Sequence, residues 1–96
     1  MAKYIMLLNW TDQGIKTVKD SPKRLDAARE VASKLGCTIE SFYMTMGAHD
    51  MVVILEAPND EAAALFALRT ASGGNVRPTT LKAVAEDAYR KVIAGV

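Results

Sequence analysis

The sequence predicts one α+β domain, a four-stranded antiparallel sheet with two helices laid over one face. Three observations carry this reading. Strand-like and helix-like apolar patterns alternate in the order βαββαβ, followed by a short C-terminal helix. Two of the four strands, Lys3 to Trp10 and Met51 to Leu55, are apolar at both parities, the mark of a strand covered on both faces. The split βαβ order puts those same two strands at the centre of the sheet, so pattern and topology agree. The arrangement is the ferredoxin-like sandwich, with strand order 4-1-3-2 and both crossover helices on one face.

The elements follow in order. Lys-Tyr-Ile-Met-Leu-Leu-Asn-Trp, Lys3 to Trp10, is the first strand. Thr11-Asp12-Gln13-Gly14 leaves it as a turn, and Ile15 to Lys19 fits a short helical turn. Ser21-Pro22 starts a helix, with Ser as cap and Pro at the first helical position, where no N–H is needed. Leu25, Ala28, Val31 or Ala32, and Leu35 form its buried stripe, and Gly36 ends it. Asp26 with Arg29, and Glu30 with Lys34, are spaced to pair on its solvent side.

Cys37 to Met46 and His49 to Ala57 read as a hairpin, closed by Gly47-Ala48 as a two-residue type II′ turn. Side chains alternate across a strand. One hairpin face therefore collects Phe42, Met44, Met46, His49, Met51, Val53 and Leu55. The other collects Ser41, Tyr43, Thr45, Asp50, Val52, Ile54 and Glu56. His49 and Asp50 then point to opposite faces and form no dyad with each other. Asn59 caps a second helix with Asp60 and Glu61 in its first turn, and Ala62, Leu65, Phe66 and Arg69 lie along one side. Asn75 to Val84 is a fourth strand that Pro78 assigns to a sheet edge. Glu86 to Ala94 is the last helix, with Glu86 and Arg90 spaced to pair.

Composition narrows the function. The chain has 96 residues, enough for one domain, residues 1–96, with one two-layer core. Twelve basic and eleven acidic residues nearly cancel, and no basic block stands out, so no nucleic-acid footprint is expected. No apolar run approaches the ~20 residues that span a bilayer, and Met-Ala-Lys-Tyr runs straight into a strand without a signal-peptide pattern. A single cysteine, Cys37, rules out an internal disulfide and suits a reducing cytoplasm. One cysteine and one histidine do not make a zinc site within one chain. No phosphate loop, nucleophile motif or carboxylate pair is present, and no cofactor is implied.

The segment Tyr4 to Gly14 (Tyr-Ile-Met-Leu-Leu-Asn-Trp-Thr-Asp-Gln-Gly), the segment Phe42 to Glu56, and Thr80-Leu81-Lys82-Ala83 resemble the GYD domain family of small bacterial proteins. The similarity runs over nearly the whole chain. At the hairpin tip, Gly47-Ala48-His49-Asp50 matches the motif that names the family, with His49 where the family's tyrosine falls. The resemblance implies a dimeric α+β barrel, in which two sheets close face to face. Its wider superfamily includes cofactor-free monooxygenases, haem-degrading enzymes, lactone isomerases and amino-acid-sensing domains, among which fold alone does not choose. The pattern independently favours a homodimer or higher even oligomer. Two crossover helices cover one face of a sheet that is apolar on both, and either the C-terminal helix or a second copy must cover the rest.

Polar residues gather at one end of the sheet: Asn9, Trp10, Thr11, Tyr43, Thr45, His49, Asp50, Arg77 and Thr79. A mostly apolar pocket with a few convergent polar groups is the usual form of a small-ligand site. Asn9, Trp10, Thr11, Tyr43, Thr45 and Arg77 are the ligand-binding candidates, and His49 and Asp50 the proton-transfer candidates. The plainer reading is that strand ends are polar because they meet water, and that Asp50 bonds backbone N–H groups beside the turn. Two functions stay open: a small-molecule binding or interaction module, and a cofactor-independent enzyme acting on an apolar substrate through Asp50 or His49.

Overall fold

Nine residues, Ala2–Trp10, form the central strand β1. The structure is a computed structural model describing residues 1–96. A one-turn helix α1 (Asp12–Lys16) and a 3-10 turn (Val18–Asp20) lead into α2 (Ser21–Lys34). Strands β2 (Thr38–Met44) and β3 (Met51–Ala57), helix α3 (Asp60–Ser72), strand β4 (Val76–Ala83) and helix α4 (Glu86–Ala94) follow. The sheet runs β2-β3-β1-β4, all antiparallel, which is the expected order read from the other edge.

Helices α2 and α3 lie over one face. Tyr4, Met6 and Leu8 of β1 and Met51, Val53, Leu55 and Ala57 of β3 are buried beneath them, with Ala32, Cys37, Ala62, Ala63 and Phe66. The other face presents Ile5, Leu7, Val52 and Ile54, all half-buried, flanked by Tyr43 and Leu81, which are 61% and 47% exposed. Helix α4 does not fold under that face, since every one of its residues is exposed. Tyr89, Val92 and Ile93, the last two each three or four residues from the first, leave an apolar stripe on α4 facing solvent.

Local chemistry departs from expectation in several places. The hairpin keeps its register, with Tyr43 opposite Val52 and Met44 opposite Met51. It is not closed by a tight Gly47-Ala48 turn, however, because the strands stop at Met44 and Met51 and Gly47 has φ +150°. Asp50 is drawn away: its N–H donates to Leu8 O and Asn9 Oδ1, so it belongs to the end of β1 as much as to the hairpin. A bulge between Ile39 and Ser41 lets both Ile39 and Phe42 pack on the helix side.

Ser21 does not cap α2. The helix begins at Ser21 with Asp20 in the cap position, Pro22 enters one residue later than expected, and the Ser21 hydroxyl accepts from Trp10 Nε1 at 3.4 Å. The Thr11–Gly14 turn continues as α1 because Thr11 Oγ1 accepts from Gly14 N. On α3, Leu65 and Leu68 face solvent and the buried side is Ala62, Ala63 and Phe66.

Other expectations hold. Asn59 Oδ1 caps α3 by accepting from Ala62 N at 2.9 Å. Gly36 adopts φ +75°, where a side chain would be strained. Pro78 sits on the edge strand β4 opposite Leu8. Asp26 with Arg29 and Glu86 with Arg90 pair at 4.0 and 2.8 Å, whereas Glu30 and Lys34 do not.

Candidate functional site

The sheet divides the polar strand-end cluster between its two faces. Odd-numbered Asn9, opposite Arg77 on β4, lies on the open face with Tyr43. Trp10 turns to the helix face and packs on the core. The groups that do meet satisfy one another. Asp50 Oδ2 accepts from Trp10 N at 3.0 Å, Asn9 Oδ1 accepts from Asp50 N at 3.1 Å, and Thr45 Oγ1 donates to His49 O at 2.6 Å. Thr11 caps α1 and donates to Gly74 O. His49 Nδ1 is buried and has no hydrogen-bond partner. Asp50 thus fastens the hairpin to the end of β1.

The concave feature lies at the same end of the sheet, one layer away. Helix α2, the C-terminal half of α3 and the sheet enclose a cavity of about 270 Å³. Its floor is Met6, Leu8, Met51, Val53 and Val76, its walls include Leu25, Ala28, Val31, Phe42 and Phe66, and its polar rim holds Ser21, Arg24, Arg69, Thr70 and Asn75. Helix α2 contributes the short side chains of Ala27 and Ala28 to its lining beside the larger Leu25 and Val31.

The rim is basic. Arg24 and Arg69 both line the cavity and no Asp or Glu does. Arg24 is held by the chain that precedes α2. Its Nη1 donates to Thr17 O and Thr17 Oγ1, and its Nη2 to Gly14 O, each at 3.2 Å. These are neutral acceptors, so the guanidinium charge is uncompensated by any carboxylate. The Arg69 side chain forms no hydrogen bond or ion pair; Ser72 Oγ donates to its backbone carbonyl. All five ion pairs of the chain lie elsewhere.

Sequence reasoning missed this cavity and its arginines, although it placed Arg69 on one side of α3 with Ala62 and Phe66. A cation three residues from a buried phenylalanine, on the same helix side, was the available signal.

At the opposite end of the sheet a second network shifts proton affinities. Tyr4 donates its phenolic hydrogen to Asp60 Oδ1, and Lys82 Nζ lies 3.0 Å from the same oxygen. The Asp60 hydrogen bond, followed by burial, pushes the Tyr4 phenol up to about 12. The same hydrogen bond, helped by Lys82, holds the Asp60 carboxyl below its usual range. Lys3 and Glu40 pair at 3.0 Å on the surface, which raises the lysine and lowers the glutamate. Burial raises the Cys37 thiol. No three His, Cys, Asp or Glu side chains are grouped to hold a metal, and no helix is long and apolar enough to cross a membrane.

The fold is a ferredoxin-like α+β domain with a cavity between its helices and its sheet. A family model for the GYD domain matches residues 4–93, and the chain belongs to that family. No curated protein matches the sequence significantly. Among solved structures it is similar to the leucine response regulatory protein LrpA of Mycobacterium tuberculosis, with 19% identity and a TM-score of 0.66, covering 88% of this chain and 51% of that one. The feast or famine regulatory protein of M. tuberculosis, complexed with L-methionine, aligns with 19% identity and a TM-score of 0.68 over 88% of this chain and 51% of that one. The chain thus spans about half the length of these regulators. A Thermus thermophilus protein, TTHA0845, aligns over 95% of its own length and 88% of this chain, with 18% identity and a TM-score of 0.56. At these identities the likeness is one of fold.

Proposed function

We propose that this GYD domain protein is a small-molecule binding module that works as a homodimer or higher even oligomer, without turnover. The observation that carries the ligand half is the cavity of about 270 Å³ between α2 and α3, apolar within and polar at its rim. This is the form small-ligand sites take, at the small end of their size range. Binding rather than catalysis is supported by the lining, which contains no His, Cys, Asp, Glu or Lys to move a proton. Neither proton-transfer candidate, His49 or Asp50, lines the cavity, and Asp50 accepts from the Trp10 N–H. The fold shared with a regulator complexed with L-methionine is consistent with the same role.

The oligomer half is supported by two apolar surfaces without a partner: the sheet face of Ile5, Leu7, Val52 and Ile54, and the α4 stripe of Tyr89, Val92 and Ile93. A second copy that lays its sheet on this one buries the first surface by symmetry. The lone buried cysteine fits a cytoplasmic setting. Native mass spectrometry of the protein as isolated is the test. We expect even multiples of the 10.4 kDa chain carrying additional small-molecule mass. A monomer overturns the oligomer. A mass that stays bare even after incubation with small apolar compounds overturns the ligand site.

A further inference from the structure

Building on that reading of the cavity, we infer that its ligand is a small amphipathic monocarboxylate, with its apolar body between α2 and α3 and its anionic head on Arg24 and Arg69. The size follows from the volume. About 270 Å³ corresponds to some nine water volumes, which suits a body on the order of ten non-hydrogen atoms, a medium-length alkyl chain or a single ring. The sign follows from the rim. Two guanidinium groups line the cavity with no carboxylate among the lining residues. Arginine presents a planar fork that suits a carboxylate.

The two arginines are not equivalent. Arg24 donates to the carbonyls of Gly14 and Thr17, which locks its orientation and leaves part of its donor set free. Arg69 has no side-chain partner anywhere in the chain, so nothing internal accounts for a cation on the cavity side of α3 beyond a favourable position near the helix C-terminus. Serine, threonine and asparagine at the rim (Ser21, Thr70, Asn75) supply neutral hydrogen bonds and no competing negative charge. A zwitterion fits less well, because its ammonium group would meet the two guanidinium charges without an acid to receive it.

The chain supplies its own reporter. Its single tryptophan, Trp10, donates to Ser21, and Ser21 lines the cavity. The test is a titration of the full chain, at low salt, with octanoate, octanol and octylamine, followed by Trp10 fluorescence and calorimetry, for the wild type and for Arg69→Gln. We expect octanoate to bind at least tenfold more tightly than octanol, with octylamine weakest. This is the range that a charged hydrogen bond supplies. Arg69→Gln should remove most of the octanoate advantage, so that the octanoate and octanol affinities converge, and it should leave the fold intact, since Arg69 is exposed and its side chain makes no internal bond. Added salt should weaken octanoate binding and not octanol binding. Equal affinity for octanoate and octanol overturns the carboxylate assignment while the cavity remains a ligand site. So does an octanoate preference that survives in Arg69→Gln and in Arg24→Gln. Failure of all three compounds to bind overturns the ligand-site reading itself.

Discussion

Gly14→Ala sets two effects of opposite sign against each other. Gly14 sits inside α1, where exchange for alanine ordinarily favours the helix by about 1 kcal/mol. In this fold a Cβ at Gly14 falls 1.9 Å from the carbonyl oxygen of Asn75. Ordinary carbon–oxygen approach is about 3.3 Å or more, so the two segments must separate by more than ~1 Å. Asn75 cannot yield freely, because its carbonyl accepts from Thr11 N at 3.0 Å and holds the start of β4 against the end of β1. Overpacking of this kind costs about 1–3 kcal/mol, and the strained hydrogen bond adds about 1 kcal/mol. The clash therefore outweighs the propensity gain, and we expect a net loss of about 2 kcal/mol. For a domain of this size that lowers Tm by roughly 8–16 °C. Gly73→Ala is the matched control. Its backbone is right-handed, and its nearest non-neighbour is Thr70 O at 3.7 Å, so it should gain about 0.4–1 kcal/mol. Thermal unfolding by circular dichroism decides. A Gly14→Ala protein that melts at or above the wild type refutes the proposed packing of α1 on the β4 start.

Four further expectations follow. Ile54→Glu, a charge in the middle of the open sheet face, should dissociate the oligomer in sedimentation velocity without unfolding the domain; an unchanged sedimentation coefficient excludes that face as the interface. The Tyr4 phenol loses its proton in the folded chain only near 12, against about 10 when unfolded. The resulting stability is present below about pH 10 and is lost as pH climbs toward 12. Ultraviolet titration should show a tyrosine ionising near pH 12 that is missing in Tyr4→Phe. Asp60 has the opposite sign: its carboxyl is held low, so its contribution is present above the ordinary carboxylate range and fades as pH falls below it. Carbon-detected NMR should find the Asp60 titration moved upward in Tyr4→Phe. Cys37 is 4% exposed with a raised pKa, so Ellman's reagent should label it slowly in the native protein and rapidly in denaturant.

The fold was legible where burial leaves a periodic mark. Strands β1 and β3 are apolar at both parities because they are central, and the Asn59 cap and the positive-φ Gly36 declare the ends of helices. The tip of the hairpin was not legible. Gly47-Ala48 resembles a tight turn, but Asp50 is claimed by Leu8 and Asn9, partners some forty residues away that no local pattern encodes. Ser21 is misread for the same reason: its hydroxyl serves Trp10, not the helix end. The polar residues at the strand ends were placed at the correct end of the sheet, yet alternation sends Asn9 and Trp10 to opposite faces. The cavity draws its lining from two helices and all four strands, segments far apart in the chain that no local pattern joins. Arg69 carries a trace of it, a cation sharing a helix side with Phe66.

The central claim is that the space between α2 and α3 holds a ligand. Calorimetric titration of octanoate into the wild type and into Ala28→Phe, which places an aromatic ring inside the cavity, tests it most directly. We expect saturable binding at one ligand per chain in the wild type and none in Ala28→Phe, with the variant still folded by circular dichroism. Equal binding by both proteins would contradict the claim and move the site elsewhere on the molecule.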